Sequence, residues 1–322
     1  MMGATMRAAI LTAPRTLRID EVPLPAPGEG EIRVKLEGCG VCASNLEPWA
    51  GQPWSTWPGE PGALGHEGWG MVDAVGPGVS ALKPGQRIAA LAHRSYAEYD
   101  VLPAAMAVPL PPSLDGIDLP GEPFGCAMNV FRRADIRSGQ WVAVIGTGFI
   151  GLVVTRLAAQ AGARVIAIGR RASSLALARR FGAEACMTMD DHWRIIEEVR
   201  ALTGDALCPR VVECAGAQWP LDLAGELVGF GGRLVIAGYH QDGPRQVNMQ
   251  QWNWKGIDVI NAHERDPAVQ RRGLEQAVAA IANGWIDPAP LITHRYPLEA
   301  LGEALAATAD KPEGFVKAVV VP

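Results

Sequence analysis

Four side chains with metal-binding chemistry stand out in three widely separated segments: Cys42 in GCGVCASN, His66 and Glu67 in GALGHEGWG, and Glu122 in GEPFGCAMNVFRRAD. Thiolate, imidazole and carboxylate are all zinc ligands. A catalytic zinc takes three of them from the protein and keeps a fourth position for water or substrate. No spacing rule links the segments, so the residues define a candidate set whose convergence the fold must supply. Cys39 forms a CxxC with Cys42, but no second CxxC exists to complete a structural zinc site, and Cys39 is expected in the core.

A second chemistry is written in Gly146-Thr147-Gly148-Phe149-Ile150-Gly151. The stretch follows the apolar run WVAVIG and opens LVVTRLAAQAG, whose apolar spacing is helical. In that context the first glycine allows a tight turn, the second lets a pyrophosphate approach the backbone, and the third lets helix and strand pack closely. The helix start then offers free N–H groups and a positive dipole end to phosphate. The alternative is a glycine-rich turn of a flavin or unrelated α/β protein. An NAD site places Asp or Glu about 20 residues on, at the end of the second strand, to bond the ribose 2′-hydroxyl. Here RVIAIG ends in Gly169-Arg170-Arg171. A carboxylate would repel a 2′-phosphate, whereas glycine leaves room and guanidinium groups bind phosphate in forked geometry. The expected cofactor is NADP(H); the competing reading has both arginines solvated and NAD held through the backbone. Cys214 and Gly238, at the ends of PRVVECAG and GGRLVIAG, complete the expected cofactor set.

The elements that must position these groups fall into two textures. Up to about residue 120 the chain is rich in Gly and Pro, with strand-like runs RAAILTA, LRIDEVP, EIRVKLEGCG, GWGMVDAVG, QRIAALA and YAEYDVLP, which predict a β-rich unit. From about 122 strands alternate with helices, which predicts a parallel sheet wound with helices. After a last amphipathic helix, RRGLEQAVAAIANG, come PLITHRYP, the helix LEALGEALAAT and the strand FVKAVVVP, so the chain is expected to return to the first domain. The expected division is 1–121 with 265–322 for the β-rich catalytic domain and 122–264 for the dinucleotide-binding domain. A length of 322 residues favours two domains over one core. The net charge of -5 and the lack of a basic cluster set a nucleic-acid surface aside. The N-terminal MMGATMRAAILTAP has no secretory-signal pattern and no apolar run approaches the roughly 18–20 residues of a membrane span, so the cytoplasm is the expected location. The six cysteines form no dense framework and are expected as reduced thiols.

The order of these segments resembles the medium-chain, zinc-type alcohol dehydrogenase superfamily over Met6 to Pro322, carried by GVCASN, GHEGWG, VGPGV, KPGQRI, YAEYDVLP, the glycine fingerprint and GGRLVIAG. The stretch EPFGCAMNVFRRA is similar to the polyol (sorbitol-type) dehydrogenase branch, in which a glutamate replaces the cysteine of other alcohol dehydrogenases. The resemblance implies an α/β fold: a Rossmann doubly wound parallel sheet plus a β-rich GroES-like catalytic domain. It implies that Cys42 and His66 bind zinc directly and that Glu122 is the third ligand or holds the zinc-bound water. Glu67 would lie beside the metal and bind it transiently, and Ser44 would pass the substrate proton toward the cofactor ribose. The plainer reading of Ser44 is a turn cap. Cys126, one helical turn beyond Glu122, is a rival third ligand, with an inert packed role as its plainer reading.

Departures from the family pattern shape further expectations. QRIAALAHRS runs directly into YAEYDVLP, so the lobe of clustered cysteines that many relatives carry is missing and one catalytic zinc per chain is expected. Asn45 and Glu47 stand where relatives often have Asp and His, and Glu47 is expected to face solvent. Trp49, Trp54, Trp57 and Trp69 either line the substrate cleft or anchor the core. His263 and Glu264 are expected as exposed loop residues in preference to a place near the nicotinamide. The implied reaction is zinc-dependent hydride exchange between NADP(H) and a small secondary alcohol or polyol and its carbonyl. A zinc-free NADPH-dependent enone or quinone reductase and a non-catalytic NADPH-binding protein are the alternatives. A homodimer or homotetramer is expected, through the edge-like IDVINAHERD.

Overall fold

Short runs in which every second side chain is apolar fold as strands with one buried face. The computed structural model describes residues 3–52 and 55–322, and the strand Glu31–Gly40 shows the rule: Ile32, Val34 and Leu36 are buried while Lys35 is exposed. Trp54 lies outside the described residues. The chain forms two compact units: one runs to Gly125 and resumes over Asp266–Pro322, and the other is Cys126–Arg265. The helix Gly121–Ala134 carries the chain from the first into the second.

The first unit is built on a seven-stranded sheet. Its path runs His294–Pro297, Ala318–Val321, Glu31–Gly40, Glu67–Val75, Arg87–Ala90 and Ala107–Pro109, and Tyr99–Pro103 also pairs with Glu31–Gly40. A separate antiparallel pair joins Thr5–Ala13 to Thr16–Pro23. The C-terminal strand pairs with Glu31–Gly40, with Val319 opposite Gly40 and Val320 opposite Cys39. Ala9, Leu11, Cys39, Trp49, Tyr96, Leu301 and Phe315 form one apolar core of this unit.

The second unit is a six-stranded parallel sheet in the order Ala185–Thr188, Arg164–Gly169, Trp141–Ile145, Cys208–Glu213, Val228–Ile236, Asp258–Asn261. Val142 to Ile145 are wholly buried, as central strands covered on both faces must be. The strand order reverses between Trp141–Ile145 and Cys208–Glu213. That reversal is the switch point at which doubly wound sheets open a ligand crevice beyond their C-terminal strand ends. Among the described residues no helix is long and apolar enough to cross a membrane.

Candidate metal centre and dinucleotide cradle

Strand register assembles the metal site. Glu31–Gly40 ends at Gly40, and Cys42 then caps a single 3-10 turn, Ala43–Asn45. His66 directly precedes the antiparallel neighbour Glu67–Val75, which places Glu67 opposite Gly40. One ligand atom each from Cys42, His66 and Glu67 consequently lies within 4.8 Å of the others. Gly40 is required here, because a Cβ at that position would stand 1.8 Å from Glu67 Oε2.

The surrounding hydrogen bonds orient these groups. His66 Nδ1 lies 3.0 Å from the Leu64 carbonyl, so Nδ1–H is assigned as the donor and Nε2 is the nitrogen left to face a metal. Buried Asn45 donates from Nδ2 to the same Leu64 carbonyl at 2.9 Å. Its Oδ1 accepts from the Tyr96 hydroxyl at 2.8 Å and from the Cys42 amide at 3.3 Å. Asn45 therefore ties the cysteine segment to the histidine segment. Burial pushes the Tyr96 phenol well above its ordinary range, which keeps it a donor.

Glu67 and Lys317 form a buried ion pair, with Lys317 Nζ 2.5 Å from Glu67 Oε1. The other carboxylate oxygen, Oε2, is buried without a hydrogen-bond partner among the described residues. An orphaned buried anionic oxygen is costly, and a cation beside it removes the cost. Two neighbouring groups report the same negative field. Burial pulls His66 down, but Cys42, Glu122 and Glu67 outweigh it and raise the imidazole to about 10. Burial likewise opposes the charge on Lys317, yet Glu67, Cys42 and Glu122 hold it above its usual value. A cysteine–histidine–carboxylate donor set with an unsatisfied anionic oxygen fits zinc.

The other sequence candidates fall as follows. Glu122 lies in the first turn of Gly121–Ala134, and its charge acts on both His66 and Lys317; the three mutually close ligand atoms belong to Cys42, His66 and Glu67. Cys126 is half-buried on the same helix. Cys39 is buried in the core, and burial together with Glu67 raises its thiol well above the ordinary range. Ser44 is half-buried within the 3-10 turn. Glu47 departs from the solvent-facing expectation: it is half-buried and accepts from Gln52 Nε2, because the short helix Leu46–Ala50 turns back on Gly51. Trp69 is fully buried and Trp49 nearly so, and Trp57 packs against the core that holds Trp49, so these three act as anchors. His263 is exposed beside Tyr239, and Glu264 faces Arg132 and Arg133.

In the second unit the glycine fingerprint has the expected local form. Gly146 takes φ +99° at the strand end, and a Cβ on Gly151 would sit 1.9 Å from the Gly146 carbonyl. The space at Gly148 is open, and Gly148 caps the helix Phe149–Gln160, on which Ile150 also lies. Gly169 closes Arg164–Gly169; Arg170 is exposed, and half-buried Arg171 caps Ala172–Arg180. Cys214 donates its amide to the Ile145 carbonyl at 2.7 Å, and Gly238 donates to the Glu213 carbonyl at 2.8 Å. Gly146, Gly169, Cys214 and Gly238 lie at or just beyond C-terminal strand ends.

Two features escaped the sequence reading. Lys317 is one, and its signal was a lone charge inside the apolar run FVKAVVVP. The other is a buried network at the switch point. Glu213 Oε1 accepts from the Ala215 and Gly216 amides at 2.7 and 2.8 Å, and Oε2 pairs with His240 Nε2 at 3.1 Å. Arg245 Nε donates to His240 Nδ1 at 2.8 Å, so Nε2 carries the imidazole proton.

The β-rich unit thus holds a cysteine–histidine–carboxylate cluster, and the doubly wound unit holds a glycine-lined turn at its switch point. Comparison with known proteins makes the assignment. Residues 28–112 match the alcohol dehydrogenase GroES-like domain, and residues 150–282 match the zinc-binding dehydrogenase family. Sorbitol dehydrogenase of Gallus gallus is 29% identical over 91% of this chain and 90% of its own length. L-galactonate-5-dehydrogenase of Escherichia coli strain K12 is 25% identical over 98% of this chain and 99% of its own. Among solved structures, a zinc-binding dehydrogenase from Sinorhizobium meliloti 1021 bound to NADP superposes with a TM-score of 0.84 at 28% identity, covering 99% of this chain and 100% of that one. The chain belongs to the zinc-type alcohol and polyol dehydrogenases of the medium-chain dehydrogenase/reductase superfamily, with a GroES-like unit and a Rossmann unit.

Proposed function

We propose that this oxidoreductase uses one zinc ion and NADP(H) to interconvert a secondary alcohol or polyol and the corresponding carbonyl compound. The observation that carries the reading is the convergence of Cys42, His66 and Glu67 ligand atoms within 4.8 Å, with one oxygen of that buried glutamate lacking a hydrogen-bond partner among the described residues. Cys42 and His66 would hold the metal, with Glu122 or Glu67 completing the set. When bound, zinc supplies Lewis acidity to the substrate oxygen while the nicotinamide exchanges hydride.

The chain's own residues do the rest. The Leu64 carbonyl, itself held by Asn45, engages His66 Nδ1, so Nε2 is the nitrogen left to face a metal, which would take the place of its proton. Lys317 holds one oxygen of Glu67, which leaves the other directed to the cation site. Ser44, two residues from Cys42, carries the substrate proton. The preference for NADP(H) is supported by the absence of a carboxylate at Gly169 and by the two guanidinium groups that follow it. The substrate class is supported by the sorbitol and L-galactonate dehydrogenases among its relatives. A homodimer or homotetramer would form through the edge strand Asp258–Asn261, where Val259 is exposed.

Turnover of a panel of secondary alcohols, polyols, sugar acids, their carbonyl partners, enones and quinones by zinc-loaded protein, with NADP(H) and NAD(H) side by side, tests the reading. Turnover of at least one panel member with higher kcat/KM for NADP(H) supports it; turnover only of enones or quinones overturns it.

A further inference from the structure

Parallel strand register places the fingerprint turn directly beside the residue where cofactor preference is read. Ile145 lies opposite Ile168, and the Gly146 amide donates to the Ile168 carbonyl at 2.8 Å. One residue further along each chain, Thr147 meets Gly169. A Cβ on Gly169 would stand 2.0 Å from Thr147 Oγ1 and 3.0 Å from both Cβ and Cγ2 of that threonine.

Thr147 is not free to yield. It is buried, and its hydroxyl is 2.7 Å from that of Ser174, which is itself buried. The Ser174 hydroxyl donates to the Arg171 carbonyl at 3.0 Å, so the proton between the two hydroxyls is assigned to Thr147. Turning Thr147 away from Gly169 would break this chain of hydrogen bonds inside the protein, and its Cβ would still crowd any side chain at 169. Displacing the Thr147 backbone instead would move the turn between Gly146 and Gly148.

We infer that Thr147 and Gly169 act as one coupled specificity determinant: the threonine hydroxyl, held by Ser174, fills the space that a ribose-binding carboxylate side chain at 169 would need. The inference rests on the proposed NADP(H) reading. It goes beyond that reading in assigning the exclusion of the carboxylate to Thr147. Neither residue alone then sets the preference. A carboxylate installed at 169 distorts the phosphate-binding turn and weakens both dinucleotides, and it serves the ribose only once Thr147 is gone.

The test is a double-mutant cycle on dissociation constants for NADPH and NADH, read by nicotinamide fluorescence, for wild type, Thr147→Gly, Gly169→Asp and the double variant. Gly169→Asp is expected to weaken both nucleotides roughly tenfold or more, the scale of overpacking a close-packed site. Adding Thr147→Gly is expected to recover NADH binding by a similar factor and to leave NADPH weak, because the carboxylate repels the 2′-phosphate. Unimpaired NADH binding by Gly169→Asp alone, or no recovery in the double variant, overturns the inference. Gly169→Ala, with and without Thr147→Gly, gives a charge-free reading from thermal midpoints or soluble yield. A loss at 169 that Thr147→Gly reverses supports the coupling, and no loss, or a loss it leaves in place, overturns it. The wild-type ratio of the two constants stands apart from this: a preference for NADH refutes the cofactor reading and leaves the coupling measurable.

Discussion

Replacing Lys317 by methionine probes the electrostatics of the proposed metal centre. Glu67 is fully buried, the Lys317 side chain is 7% exposed, and their charged atoms are 2.5 Å apart. At an effective dielectric constant of about 20 that separation corresponds to a gross attraction of roughly 7 kcal/mol, most of it offset by the desolvation of both ions. Removing one partner leaves the other charge buried and uncompensated, which costs about 3–5 kcal/mol. In a chain longer than about 250 residues each kcal/mol lowers the melting midpoint by roughly 2 °C or less, so a fall of several degrees is expected for metal-free protein. Zinc supplies the missing positive charge beside Glu67, so the gap between variant and wild type should narrow when both are saturated with zinc. Adding Glu67→Gln should rescue part of the metal-free loss, because the orphaned charge goes with it. The assay is thermal unfolding of wild type, Lys317→Met and Glu67→Gln/Lys317→Met, with chelator and with excess zinc. A Lys317→Met midpoint equal to wild type in chelator, or a gap that zinc leaves unchanged, would refute the reasoning.

Three further outcomes are expected. Arg170→Ala/Arg171→Ala should raise KM for NADP(H) by roughly tenfold or more while leaving KM for NAD(H) nearly unchanged, because only the 2′-phosphate loses its charged partners; equal effects on both cofactors would count against the assignment. Ser44→Ala should lower kcat by about two orders of magnitude with little change in cofactor affinity, in steady-state and binding measurements; an unchanged kcat would remove Ser44 from the proton path. The third concerns acid stability. Burial pulls the Glu98 carboxyl up, but the Arg7 amide, side chain and charge outweigh it and hold the carboxyl below its ordinary value. The stabilisation it gives is present above the unfolded-state value of about 4.3 and is lost as pH falls through the lower folded value. Glu98→Gln should therefore be less stable than wild type at neutral pH, and the difference should shrink below about pH 4 in denaturant titrations.

Local pattern made much of the fold legible. Short strand-like runs set between Gly- and Pro-rich turns announced Glu31–Gly40 and Glu67–Val75, and a glycine turn between an apolar strand and a helical stretch announced the turn at Gly146–Gly151. Cys42, His66, Glu67 and Glu122 stood out by donor type, but no spacing linked them, and the fold brings the atoms of only the first three within 4.8 Å of one another among the described residues. What stayed hidden depends on distance along the chain. Glu67 and Lys317 are 250 residues apart, and only the return of the last strand onto Glu31–Gly40 brings them together. Asn45 read only as a departure from the Asp of many relatives, and its role stayed hidden because its partners, Tyr96 and Leu64, come from other segments. The tryptophans were ambiguous because an aromatic suits a cleft wall and a core equally; Trp69 is core because its ring fills the space beside Gly38, which has no side chain. Thr147 carried no signal at all, since its crowding of Gly169 arises from strand register.

Metal content and activity measured on one preparation bear most directly on the convergence of Cys42, His66 and Glu67. Purified protein should carry about one zinc per chain, lose alcohol–carbonyl turnover when the metal is stripped, and regain it on addition of zinc. Cys42→Ser and His66→Ala should bind the dinucleotide normally yet neither retain zinc nor turn over. Full activity in stripped protein, or wild-type zinc content in both variants, would contradict the account.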